Sequence, residues 1–304
     1  MLGLGTIIGK ASDPISIIVE RSSAPGKSSL AASYEYYYYG GGGDVLQGGF
    51  NINTIYYQTL ADWAGYTGLR QDFNEPLNSF DASSYNYFDS PFSNTSFNQP
   101  LDQWDVSGIV SMRNALRGAS YFNQDISGWD VSNVTDMGYM FYEAYAFNQN
   151  LSTWNVSNVE NMGVMFRHAH AFNGNVSGWN VSNVSFMSSM FHDARAFNQD
   201  ISTWNVSNVT NMSLMFFQAS AFNQDLSTWN IGSVTYMSNM FSGSGMSTTN
   251  YSNTLIGWAA QAPNIQSNVP LGASGIRYNS SAQSARNTLT GTYGWTITDS
   301  GLGS

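Results

Sequence analysis

One period governs this chain. Phe97, Phe122, Phe147, Phe172, Phe197 and Phe222 are spaced 25 residues apart without exception. Trp104, Trp129, Trp154, Trp179, Trp204 and Trp229 keep the same step, and so do Met112, Met137, Met162, Met187, Met212 and Met237. Residues 97–246 are therefore six tandem copies of one unit, and 197–221 (FNQDISTWNVSNVTNMSLMFFQASA) is a representative copy. A degenerate copy precedes them: FNEPLNSFDAS from Phe73 matches FNQPLDQWDVS from Phe97, one residue short of the period. A unit this short cannot bury its apolar face alone, whereas stacked units bury a continuous core. The expectation is a solenoid of seven coils over 73–246.

Spacing inside the unit predicts its local structure. Ile201, Trp204 and Val206 follow an L-x-x-L-x-L step, and the 204/206 pair has the two-residue period of a short strand. Val209, Met212, Met215, Phe216 and Ala219 follow a 3,3,4 step, the spacing of a short α or 3₁₀ turn facing inward. An Asn recurs at the return turn (Asn98, Asn123, Asn148, Asn173, Asn198 and Asn223), where it is expected as a buried structural ladder binding free backbone groups of its own and the next coil.

The ends differ from the middle. Residues 51–72 carry Ile52, Ile55, Tyr56, Leu60 and Trp63 at helical spacing and read as an N-terminal cap helix. Residues 247–304 read as an α/β C-terminal cap: a helix over 247–261, an extended piece at 269–278, a helix at 281–289 and a strand at 295–298. Residues 1–50 read as an extended arm. Tyr36, Tyr37, Tyr38 and Tyr39 run into four glycines, and an exposed row of Tyr suggests an anchor buried on another structural subunit.

Composition narrows the function classes. Charged residues are 10% of the chain and the net charge is −10, which argues against a basic groove for nucleic acid. Without Cys, disulfides and thiolate metal sites are excluded. No apolar run is long enough for a membrane span, and the first residues, MLGLGTIIGKASDP, lack the basic n-region of a secretory leader. No G-x-S-x-G, H-E-x-x-H or P-loop is present, so no enzyme is expected. By the period, His168 stacks on Asp193, His170 on Arg195 and Arg167 on His192. A His/Asp metal site there is weighed against a solvated polar patch, and the patch is favoured. Asp105 and Asp130 share one repeat position and Asp200 and Asp225 another; calcium between stacked carboxylates is the alternative to simple Asp/Asn interchange. No cofactor is otherwise expected. The sequons, such as Asn133-Val134-Thr135, recur only because the unit recurs.

The repeats resemble those of BspA-like leucine-rich-repeat surface proteins, whose units carry F-N-Q-x-[IL]-x-x-W-[ND]-[VI]-S-N-V-x-x-M-x-x-M-F. The stretch NYSNTLIGWAAQ…GTYGWTITDSG is similar to the region that follows the repeats in that family. The resemblance implies a leucine-rich-repeat-like, right-handed solenoid of short parallel strands and short helical turns. It also implies adhesion or binding and no catalytic site. Specificity is expected where the repetition fails, at outward positions Tyr139, Tyr142, Arg167, His168, His192 and Phe217. The expected function is that of an extracellular structural or adhesion protein. The first form is a virion component (capsid decoration, fibre or tail) anchored by its N-terminal arm. The alternative is a bacterial cell-surface adhesin that binds glycans or host proteins.

Overall fold

A computed structural model describes residues 86–88, 92 and 94–303 in full, and the backbone of 15–17 and 34–36. The chain divides into two bodies, Met1–Thr54 and Ile55–Ser304. In the first, β1 (Ile15–Ile17) pairs antiparallel with β2 (Tyr34–Tyr36), Ile15 opposite Tyr36. The segment expected as an extended arm thus contains a short ladder of its own. The remaining anchor candidates Tyr37, Tyr38 and Tyr39, the expected cap helix over 51–72 and most of the degenerate copy lie outside the described residues.

In the second body the six repeats lie side by side, each residue opposite its equivalent one period later. Parallel bridges join Ser111 to Asp136, Asp136 to Asn161, Asn161 to Phe186, Phe186 to Asn211 and Asn211 to Tyr236. The three apolar columns that define the period are buried throughout. Consecutive Phe rings of the first column are stacked with centroids 5.9–6.1 Å apart. Trp129, Trp154, Trp179 and Trp204 stack at 6.3–6.4 Å. A fully buried aromatic side chain contributes on the order of 1.5–3 kcal/mol of apolar transfer, and here neighbouring copies supply that burial. The indoles add polar links: Nε1 of Trp129, Trp154, Trp179, Trp204 and Trp229 donates to the carbonyl 28 residues earlier at 2.9–3.1 Å.

The strand expected within each unit is corrected, and of the expected α or 3₁₀ turn only separate three-residue turns form. Residues 204–206 form no strand; the parallel bridge falls at position 211, just before Met212. The segment after it is not a helix, because its N–H groups alternate between two kinds of acceptor. Met212, Leu214, Phe216 and Gln218 donate to carbonyls of the next repeat (Tyr236, Ser238, Met240 and Ser242) at 2.8–3.0 Å. Met215, Phe217 and Ala219 donate back three residues, closing tight turns. Two residues per repeat, such as Leu214 (φ 60°) and Gln218 (φ 57°), adopt the left-handed conformation, which stops any helix from propagating. Apolar spacing of 3 and 4 fits a run of such turns as well as it fits a helix.

The last repeat meets a cap that imitates a further copy. α1 (Thr248–Ala259) begins at Ser247, whose side chain accepts from the Asn250 N–H. Trp258 on this helix donates its indole N–H to the Leu226 carbonyl at 3.0 Å, continuing the Trp column. β3 (Pro270–Ala273) takes the place of the next backbone: Met237 bridges Leu271, and the Phe241 N–H donates to the Gly272 carbonyl. β3 in turn pairs in parallel with β4 (Thr296–Asp299). Between them lie a short 3₁₀ turn (Ser280–Ala282), α2 (Gln283–Asn287) and a π-type turn (Thr288–Thr292). Arg286 and Asp299 form a bidentate ion pair across the cap, with the Asp299 side chain 1% exposed. Among the described residues no helix is long and apolar enough to cross a membrane.

Candidate functional site

Most outward positions are absorbed by links between copies. The side-chain oxygen of Asn98 accepts from the Asn123 N–H and from the Gln124 amide at 2.9 Å. Asn123, Asn148, Asn173 and Asn198 accept from the N–H one period on at 2.7–2.9 Å, and Asn223 accepts from Ser247 N–H at 2.8 Å in the cap. Four of these six, Asn123, Asn148, Asn173 and Asn198, are exposed, not buried as expected. The return turn faces water, and the Asn row spans copies at the surface.

The carboxylate positions have a similarly local task. One oxygen of Asp105 and of Asp130 accepts from the N–H two residues on at 3.0 Å; Asn155, Asn180 and Asn205 do the same at 3.2 Å. Asp200 and Asp225 close the equivalent turn in the other row at 2.9 Å. An Asx turn needs one acceptor oxygen and no charge, which explains why Asp and Asn interchange freely. Hydrogen bonds from Ser107, Ser132 and Ser202 lower the pKa values of Asp105, Asp130 and Asp200 respectively.

One edge is different. The four Arg of the repeats (Arg113, Arg117, Arg167 and Arg195) and all three His of the chain come together there with the irregular aromatics. Two of them, Tyr139 (φ 62°) and His168 (φ 60°), stand at left-handed positions, as do the acidic residues Glu143 (φ 59°) and Asp193 (φ 56°) beside them. The guanidinium of Arg113 lies over Tyr139, 4.9 Å from its centroid, and those of Arg117 and Arg167 lie over Tyr142 at 5.1 and 5.8 Å. Tyr142 meets His168 edge-on, His168 meets His192, and His192 meets Phe217, with centroids 5.8, 5.2 and 4.9 Å apart. A second row runs beside it, with Tyr145 stacked on His170 at 4.9 Å.

Asp193 is the hub of this edge. His168 Nδ1 and His170 Nε2 lie 3.1 and 3.0 Å from one of its oxygens. Arg195 donates to both oxygens at 2.8 and 3.0 Å. Burial works to raise the Asp193 pKa, but these hydrogen bonds from Arg195, His168 and His170 outweigh it and hold the carboxyl well below the usual range. The period places His170 opposite Arg195; in the structure both turn onto Asp193.

Two expectations about exposure are corrected. His192 does not face outward: it is buried at 9% exposure and its Nδ1 has no hydrogen-bond partner. Burial, with Arg167 and His168 nearby, pushes its pKa down to about 4. Tyr139, Tyr142 and Phe217 are half-buried against their neighbours and not exposed platforms. The exposed aromatics of the repeats are Tyr121, Tyr145, Phe186 and Tyr236. Sequence reasoning passed over Tyr145, although the period alone sets it beside His170.

No curated protein matches the chain. A family model described as "Mycoplasma protein of unknown function, DUF285" matches it twice, over residues 62–177 and 147–258, together more than half of its length. The overlapping matches fall on the repeats, and the chain belongs to that family of repeat proteins of unknown function.

Proposed function

We propose that this chain is a non-enzymatic binding scaffold: a leucine-rich-repeat-like, BspA-type solenoid that presents one variable edge to a partner outside the cell. The observation that carries this reading is the segregation of side chains. All four Arg of the repeats gather with all three His on the edge that also bears Tyr139, Tyr142, Tyr145 and Phe217. Elsewhere the surface is mainly a polar array whose amides and hydroxyls bond between copies, broken by the exposed rings of Tyr121, Phe186 and Tyr236. Arginine beside aromatic rings is the combination that dominates binding hot spots, and a rigid backbone presents it at little entropic cost.

The partner chemistry that suits this edge is a carboxylated glycan or an acidic protein surface, because Arg117 and Arg167 offer charge next to ring faces that stack on sugars or apolar side chains. The reading covers both a virion component docked through residues 1–50 and a cell-surface adhesin. Screening the full chain against acidic and neutral glycans and extracellular proteins, with Arg167→Ala and Tyr142→Ala in parallel, tests it. A ligand whose binding falls at least tenfold in both variants supports the edge, whereas a ligand indifferent to both overturns it. Deleting residues 1–50 then separates the two settings: loss of incorporation into a particle with ligand binding retained marks the virion component.

A further inference from the structure

We propose that His168, His170 and Asp193 form a binding site for a divalent first-row transition ion, with Zn²⁺ as the representative. The three residues come from two adjacent repeats, and their ligand atoms lie within 4.8 Å of one another. His168 Nδ1 and His170 Nε2 are 3.1 and 3.0 Å from the same Asp193 oxygen. Tetrahedral zinc with bonds of about 2.0–2.1 Å separates its ligand atoms by about 3.3–3.4 Å. To reach that geometry the two contacts to Asp193 open by a few tenths of an ångström, and the two imidazole nitrogens, which lie within 4.8 Å of each other, close to a similar spacing by rotation of the partly exposed rings. Two imidazoles and a carboxylate select zinc-like ions over calcium, which takes oxygen ligands. The site stands apart from the binding reading above and does not depend on it.

The surroundings supply what a metal centre needs beyond its ligands. Tyr145 stacks on the His170 ring and fixes its plane. Asp193 is held by its own backbone position, with its side chain 9% exposed, while those of His168 and His170 are 25% and 33% exposed. The ion is therefore anchored from below and open above, where water or a carboxylate from outside completes the tetrahedron. His192, buried and meeting His168 edge to face at 5.2 Å, packs against the inner side of that imidazole. Glu143, on the preceding repeat, adds negative charge to the same edge.

Two arginines compete with the ion. Arg195 occupies both Asp193 oxygens, but its side chain is 60% exposed and can swing into water. If it keeps its contact with the second oxygen alone, it becomes an outer partner that orients the carboxylate. Arg167 Nε donates to His168 Nε2 at 3.3 Å, which places the imidazole proton on Nδ1. Metal at Nδ1 requires the ring proton on Nε2, so Arg167 turns aside when the ion binds.

The competition makes the test specific. The full chain, free of any affinity tag and stripped with a chelator, is titrated with ZnCl₂ by calorimetry at about neutral pH, and Co²⁺ is used as an optical probe of tetrahedral geometry. The expected result is one ion per chain, visible Co²⁺ bands of tetrahedral type, and binding at least tenfold weaker in His170→Gln. Arg195→Ala, which removes the competing cation, binds more tightly than the wild type. His168→Asn, which tolerates the left-handed backbone, weakens binding as His170→Gln does. Absence of saturable binding in the wild type overturns the site. So does binding that His170→Gln leaves unchanged and Arg195→Ala does not tighten, since the ion then sits elsewhere.

Discussion

The His192 ring meets Phe217 of the next repeat edge to face, with centroids 4.9 Å apart, and the His192 Nδ1 is buried without a partner. This imidazole stays neutral in the folded state, where its pKa is lowered to about 4 from an ordinary 6.5. Between those values the unfolded chain binds a proton that the folded chain does not. Stability is therefore undiminished above pH 6.5 and falls as pH drops towards about 4, by on the order of 2–3 kcal/mol. His192→Phe, which repeats the residue found one period later, removes this loss. Urea unfolding across that pH window should show a flatter profile for the variant, and parallel curves would refute the assignment.

Trp204 is expected to be the most costly single position in its repeat. Trp204→Phe removes the 3.1 Å hydrogen bond to the Val176 carbonyl and part of a buried ring. Together these should cost about 2–4 kcal/mol. Denaturant midpoints measure the difference.

Gln218 offers the opposite effect. It is exposed, and its φ of 57° is in the left-handed region. Gln218→Gly should raise stability by about 1 kcal/mol, because glycine lacks the steric penalty of that conformation. The measured change in unfolding free energy tests the sign directly. A loss would mean that side-chain packing outweighs backbone strain there.

Asp130→Asn should leave the melting temperature unchanged, since either side chain closes the turn with Ser132. Asp130→Ala should lower stability by about 1 kcal/mol, the net value of one hydrogen bond. Equal melting temperatures in all three proteins would show that the turn forms without its side-chain acceptor.

The period carried most of what was legible in the sequence. It identifies which residues meet across copies, because every Phe, Trp and Met column pairs residues 25 apart. Backbone conformation was not legible in the same way. Met212, Met215, Phe216 and Ala219 have inward spacing whether their N–H groups close a helix or reach the next repeat, and no residue type at Val164 or Leu214 signals a left-handed φ. At the edge, the period pairs His168 with Asp193 correctly in space. It fails for His170 and Arg195, because both side chains are long enough to leave their own column and find the same carboxylate. Register determines Cα positions, while charge decides where flexible side chains end.

The cap built on Trp258, Asn250 and Leu271 accepts the contacts that a further copy would have made, Asn250 donating its amide to Asn223 as Gln224 does to Asn198. Any repeat of the described array therefore sees the same boundary on its C-terminal side, whether a copy or the terminator follows. Excising one 25-residue cassette, or duplicating one, would rejoin equivalent core and Asn-row seams and leave the C-terminal cap as it was. The length of the array is free to drift by whole cassettes, and an ancestor or descendant of this chain can shorten or lengthen its reach without redesigning the Phe, Trp and Asn columns.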